Sequence, residues 1–141
     1  MLRPMEMTFV DEISPEEWWA LDDRIYEFNV KASGFDDGRL LGIRVHDEAG
    51  ELIAGLQGWT WAGWLEVRTL WVREDARRQG IGRRLIAAAE AEGRARGATR
   101  ALIDTHGFQA PGFYRKLGYE EVAVIPDYPP GSAKHTFLKA L

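Results

Sequence analysis

The sequence predicts an α+β domain: a mixed, mostly antiparallel sheet of six or seven strands with helices on both faces. Three observations point there. Strand-like runs between Leu40 and Val72 follow one another through short turns, as in an antiparallel meander. A strand, a glycine turn, a helical run and another strand then succeed each other from Trp64 to Thr105. Parallel neighbours need such a long connection, so this stretch predicts a parallel crossover. Finally, 141 residues with 45% hydrophobic and 28% charged side chains suit a single globular domain over residues 1–141.

The elements can be justified in order. Met7 to Ile13 reads as a short first strand. Ser14-Pro15-Glu16-Glu17 is a helix start, with a capping hydroxyl, proline at the first helical position and acids in the first turn. Trp18, Leu21, Ile25 and Phe28 then recur at helical spacing, and Ser33-Gly34 ends the helix. Leu40 to His46, Glu51 to Thr60 and Trp64 to Val72 form the meander, with turns at Asp47–Gly50 and Trp61–Gly63. Ile81 to Arg96 is a helix with Ile81, Leu85, Ala88 and Ala89 on one face, stopped by Gly97. Arg94 and Arg96 can pair with Glu90 and Glu92 along it. Arg100 to Thr105 is a strand, Ala110 to Leu117 a short helix closed by Gly118, and Tyr119 to Ile125 a strand. His135 to Leu138 is the last strand, after a loop at Asp127-Tyr128-Pro129-Pro130-Gly131.

Composition bounds the function. There is no cysteine, which removes disulfides, thiolate nucleophiles and cysteine metal sites. A net charge of −4 argues against general nucleic-acid binding, which ordinarily leaves a basic footprint. No apolar run approaches the roughly 20 residues of a membrane helix. Residues 1–10 lack the long apolar core of a signal peptide, so a cytoplasmic location is the expectation.

The most informative segment is Arg77-Arg78-Gln79-Gly80-Ile81-Gly82, between a strand and a helix. A glycine turn that opens a helix leaves backbone N–H groups without partners. Those groups and the helix dipole, roughly half a unit of positive charge, attract phosphate. Arg83 and Arg84 add charge to that of Arg77 and Arg78. The turn therefore predicts a pyrophosphate cradle. A P-loop fits poorly, because no Gly-Lys-Ser/Thr follows, and a dinucleotide fingerprint fits poorly, because the turn comes mid-chain after a meander.

The chain resembles the GNAT superfamily of acyl-CoA-dependent N-acyltransferases. Arg77, Gly80 and Gly82 match its Arg/Gln-x-x-Gly-x-Gly/Ala motif, and Phe113 to Tyr119 resembles its aromatic-Tyr-x-x-x-Gly-Phe/Tyr segment. The order of elements matches along essentially the whole chain. Phe108-Gln109-Ala110-Pro111 and the Asp127 to Gly131 loop look like a small bacterial branch whose substrates are mostly unassigned. The resemblance implies acetyl-CoA as co-substrate with no metal, and transfer to a small amine or a lysine side chain. It implies that Leu70, Trp71 and Val72 pair by backbone with the pantetheine arm, and that Arg77, Arg78, Gln79, Gly80, Ile81, Gly82 and Arg83 hold the pyrophosphate. Many members carry an asparagine where this chain has Gly107; Gln109 is the nearest substitute. Members of the fold often dimerise, so a second copy is among the expected partners.

The chemistry expected is amine attack on a thioester. An alkyl amine has a pKa of about 10.4, so making it neutral near pH 7 costs on the order of 4–5 kcal/mol. A base or a desolvating pocket supplies that. Tyr114 is the candidate acid, since a phenol of pKa near 10 can protonate a departing thiolate. The resemblance implies the same role. Glu66, fourteen residues ahead of Gly80, matches the spacing of the glutamate base in the histone-acetylating branch. Its plainer reading is an outward strand residue paired with Arg68. Asp104 is the second choice of base. His106 can titrate near neutrality, although a lone histidine after a strand is ordinarily a loop residue. Trp59, Trp61 and Trp64 are sheet core or an aromatic wall for a cationic acceptor. Two rival readings are a non-catalytic acyl-CoA-binding module of the same fold and an interaction protein that pairs with a second copy through its final strand.

Overall fold

The computed structural model of the chain describes residues 3–141. It divides into two compact units, one ending at Phe35 and the other running Asp36–Leu141. The first unit holds α1 (Pro15–Ser33). The Ser14 hydroxyl accepts from the Glu17 N–H at 3.2 Å while the Ser14 N–H donates to the Glu17 carboxylate at 3.3 Å, a full capping box. Gly34 closes the helix in the left-handed region at φ 80°, as the Ser33-Gly34 signal predicts. The expected strand over residues 7–13 does not form. Asp11 and Glu12 interrupt its apolar alternation, and no ladder bonds satisfy its backbone.

The second unit carries β1 (Arg39–His46), β2 (Leu52–Trp61), β3 (Trp64–Val72), α2 (Ile81–Ala95), β4 (Arg100–His106), α3 (Pro111–Lys116), β5 (Glu120–Pro126) and β6 (Ala133–Ala140). One six-stranded sheet runs β1-β2-β3-β4-β6-β5. Every pairing is antiparallel except β3 with β4. The sheet is thus mixed and mostly antiparallel, at the lower of the two expected strand counts. The β2–β3 hairpin turns on Ala62 and Gly63, both at positive φ, which matches the twist of the strands it joins. The final strand lies between β4 and β5, so both its edges are already paired. Association through it is therefore excluded, and the open edges belong to β1 and β5.

Helices α2 and α3 pack on the same face of the sheet. Leu56, Leu65, Ile86, Ile103 and Phe137 are its largest fully buried side chains. Burying each contributes roughly 1.5–3 kcal/mol. Tyr114 of α3 packs against Phe137 of β6 and Tyr119, and the Tyr119 hydroxyl donates to buried Glu90 of α2 at 2.8 Å. Glu90 also takes Lys139 at 2.9 Å and so is paired across the sheet, not with Arg94 as its spacing suggests. The other expected helix pair forms: Arg96 donates to Glu92 at 2.9 Å, and its guanidinium also reaches the Leu40 carbonyl.

Two irregularities position the site. A bulge between Gln57 and Gly58 leaves Arg68 of β3 without an opposite number. Leu65 and Val67 before it, and Leu70 and Val72 after it, all join the helix-covered core. Gly58 is required there, because a Cβ at this position would collide with the Glu66 carbonyl oxygen. The second irregularity is that β3 and β4 pair only from Trp64↔Arg100 to Val67↔Ile103. Past that point β3 stays with β2 as far as Val72, and β4 stays with β6 as far as His106. The sheet splits at its centre.

Candidate active site

The split opens into a groove of about 950 Å³. One wall is the end of β3, residues 67–72, and the other is Asp104, Thr105 and His106 of β4. The turn before α2 closes one end, with Phe113 and Tyr114 of α3 beside it. Beyond Val67 the β4-facing edge of β3 has no strand partner, so its N–H and C=O groups face the groove. Leu70, Trp71 and Val72, the residues expected to pair with a pantetheine arm, lie on this edge.

The turn is built as a cradle. A single turn of 3-10 helix, Glu74–Ala76, leads from β3 into it. Arg78 takes a left-handed φ of 63° and Gly80 one of 78°, and this reversal aims the chain into α2. Among the described residues, the backbone N–H groups of residues 78–83 find no acceptor; the first helical bond runs from Arg84 to the Gly80 carbonyl. Six backbone donors without acceptors and the positive end of a helix dipole therefore lie in one turn, five of whose six residues line the groove. Arg77 acts on the turn itself: its Nε donates to the Val72 carbonyl at 3.0 Å and ties the loop to the strand end. A Cβ on Gly82 would stand 3.4 Å from the Phe113 ring and 3.9 Å from Val72, so there is room for a methyl group and no more. This accounts physically for Gly or Ala at that motif position. Arg77, Arg78, Gly80, Ile81, Gly82 and Arg83 all line the groove; Gln79 does not.

Tyr114 is held by its neighbours. It is 7% exposed, edge-on to Phe113 and Tyr119 and tilted against Phe137. Its hydroxyl has no hydrogen-bond partner among the described residues, and the side chain lines the groove. Burial pushes its pKa up to about 12, so it is a neutral donor throughout the physiological range.

Other predicted residues sit differently. Glu66 does not line the groove: it pairs with Arg68 at 3.4 Å on the face where it stands opposite Trp59. The pleat explains this, since Leu65 and Val67 take the core side. Trp59 and Trp64 lie outside the lining too, with Arg68 and Arg100 stacked on them at 5.2 and 5.5 Å. The tryptophan that does line it is Trp71. Gln109 lines the groove, but its Oε1 accepts from its own loop, from the His106 N–H at 2.6 Å and the Thr105 hydroxyl at 3.1 Å. Only its amide nitrogen is left for a ligand. A Cβ at Gly107 would stand 2.8 Å from Ser132 Oγ, so an asparagine there would require the Ser132 side chain to shift. Asp104 accepts from the Thr136 hydroxyl at 2.6 Å. Thr69, Phe108 and Lys134 are lining residues that the sequence does not reveal. Lys134 arrives through the pairing of β6 with β4, and no local pattern signals it.

Three comparisons bear on this site. A model described as the acetyltransferase (GNAT) family matches residues 5–119. Blasticidin-S acetyltransferase of Streptomyces morookaense is 50% identical over 95 residues, which cover 67% of this chain and 70% of that protein. An acetyltransferase of Agrobacterium fabrum strain C58 is 34% identical over 121 residues, 86% of this chain and 88% of that protein. Among solved structures, an acetyltransferase from Bacillus cereus ATCC 14579 matches with a TM-score of 0.78 and 28% identity, covering 97% of this chain and all of that one. A Bacillus anthracis acetyltransferase solved in complex with acetyl coenzyme A shares the fold, with a TM-score of 0.63 at 16% identity over 72% of this chain and 62% of that one.

Proposed function

Since the chain belongs to the GNAT family of acetyltransferases, we infer that it transfers the acetyl group of acetyl-CoA directly to a primary amine, with Tyr114 as the acid. The observation that carries this reading is the meeting of three features in one groove. They are the unpaired N–H groups of residues 78–83, the unpaired edge of β3, and the Tyr114 side chain. The first suits a pyrophosphate, the second an amide-bearing arm that lies down as a strand would, and the third a leaving thiolate. The donors fit the co-substrate in chemistry. Direct transfer needs no covalent intermediate, in keeping with the absence of cysteine.

The acceptor is the open half. Blasticidin S is the first amine to assay, given the relative at 50% identity that is named for acetylating it. Polyamines and a lysine peptide complete a panel. The test is release of free CoA thiol from acetyl-CoA in the presence of each amine, with acetyl-CoA affinity measured by calorimetry. Amine-dependent thiol release is the expected result. Tight acetyl-CoA binding with no turnover on any amine would leave a binding module on the same fold and end the transferase reading.

A further inference from the structure

We propose that His106 is the base that takes the proton from the acceptor amine, an assignment that rests on the acetyl-transfer reading above. His106 is the last residue of β4 and lines the groove on the β4 wall. Its Nδ1 lies 3.1 Å from the backbone carbonyl of Tyr128. A carbonyl oxygen only accepts, so in the neutral ring the proton sits on Nδ1 and the lone pair on Nε2. Nε2 has no hydrogen-bond partner among the described residues. The ring is also fixed in orientation. Phe108 stacks at 5.3 Å and 3°, and Tyr128 at 5.1 Å and 27°. A base oriented by a third group and free on its working nitrogen is the arrangement proton abstraction requires.

Two rival carboxylates are worse placed. Glu66 is outside the groove lining and engaged by Arg68, and Asp104 already accepts the Thr136 hydroxyl on Oδ1. Among the described residues, the charged groups lining the groove on the His106 side are Asp104 on its own strand and Lys134, its register partner on β6, whose Nζ sits 5.4 Å over the Tyr128 ring; Arg68, Arg77, Arg78 and Arg83 line it from β3 and the turn before α2.

The step balances. His106 Nε2 takes a proton from the ammonium form of the acceptor, leaving a neutral amine and an imidazolium. The amine lone pair forms the C–N bond at the thioester carbonyl carbon as the C=O pair moves to oxygen. When that pair returns, the C–S bond breaks and Tyr114 gives its hydroxyl proton to the thiolate. The tyrosinate recovers a proton from the new amide nitrogen, and His106 releases its own to solvent.

Two measurements test the assignment. Long-range ¹H–¹⁵N spectra of the full chain report the tautomer of His106, and an Nδ1–H ring is expected. The His106→Phe variant keeps the aromatic stack and removes the base. With blasticidin S, or whichever panel amine turns over, its kcat/KM should fall about 10²- to 10³-fold. The acidic limb of the pH profile should vanish, while acetyl-CoA affinity stays as in the wild type and the melting temperature falls by no more than a few degrees for the lost bond to the Tyr128 carbonyl. An Nε2–H ring, a rate within threefold of wild type, or an acidic limb that survives in H106F and is lost in Asp104→Asn would each overturn the proposal. An Nδ1–H ring with no turnover on any amine would overturn the transfer reading, and the base with it.

Discussion

Two parts of the groove are made from different materials. The part at the start of α2 is backbone: six N–H groups in sequence, held in place by Gly80 at positive φ and by Arg77 on the Val72 carbonyl. The wall at His106 is side chain: a histidine, a phenylalanine and a tyrosine stacked on one another, with Lys134 beside them. A backbone cradle depends on chain geometry, so one short motif encodes it. A side-chain platform depends on which strands become neighbours, and here it draws on β4, the turn after it, the loop before β6 and β6 itself.

Substitutions that push on this contrast differ in size. Tyr114→Phe should lower kcat about 10²- to 10³-fold and leave acetyl-CoA affinity unchanged, as steady-state rates and calorimetry together will show. If affinity fell instead, Tyr114 would belong to the cradle end. Gly82→Trp should act in the opposite sense. Its side chain must displace Phe113, and acetyl-CoA affinity should drop about 100-fold, roughly 2.7 kcal/mol, in a titration. Unchanged affinity there would break the idea of a backbone cradle.

Alkaline pH offers a third probe. Burial raises the folded-state pKa of Tyr114 from 10.0 to about 12. The folded chain therefore holds this proton longer than the unfolded chain does. The associated stability is fully present below pH 10 and is lost as pH rises through 12. It amounts to about 2–3 kcal/mol at two pKa units. Over that window the denaturant midpoint of wild type should fall relative to that of Tyr114→Phe, which has no buried hydroxyl to ionise. Gly58→Ala should lower stability by about 1–3 kcal/mol in the same assay, since its methyl meets the Glu66 carbonyl and strains the bulge. Glu66→Gln is the smallest change: turnover within twofold and stability within about 0.5 kcal/mol, because the surface pair it breaks with Arg68 is worth little. A large loss of turnover would return the base to β3.

Most of the fold was legible, and the parts that were not share a cause. The meander, the crossover, the capped α1 and the turn before α2 are set by local periodicity, glycines and caps, and they form where the residues place them. The strand expected over residues 7–13 failed because extended backbone needs a ladder partner, which seven residues of sequence do not name. The final strand's seat inside the sheet is equally a matter of neighbours. In the site, Gly80, Gly82 and Tyr114 could be read from a motif. Arg77's grip on the strand end and Gln109's use within its own loop could not, because both are choices among hydrogen-bond partners made after folding. Glu66 is a case that spacing alone does not settle: its position along the strand matches an expected base, while its side chain pairs with Arg68 outside the groove lining.

The parting of β3 from β4 has a consequence for self-association. A strand edge with free N–H and C=O groups invites pairing with another chain, which is why proteins shorten, charge or cover such edges. Here the free edge lies in the middle of the sheet, with β4 and β6 facing it across the groove. A slender ligand can reach it, whereas a second sheet, with strands spaced about 4.8 Å apart and side chains on both faces, cannot enter. The same recess that offers a seat to an extended ligand thus shields this edge from the kind of pairing that seeds aggregates.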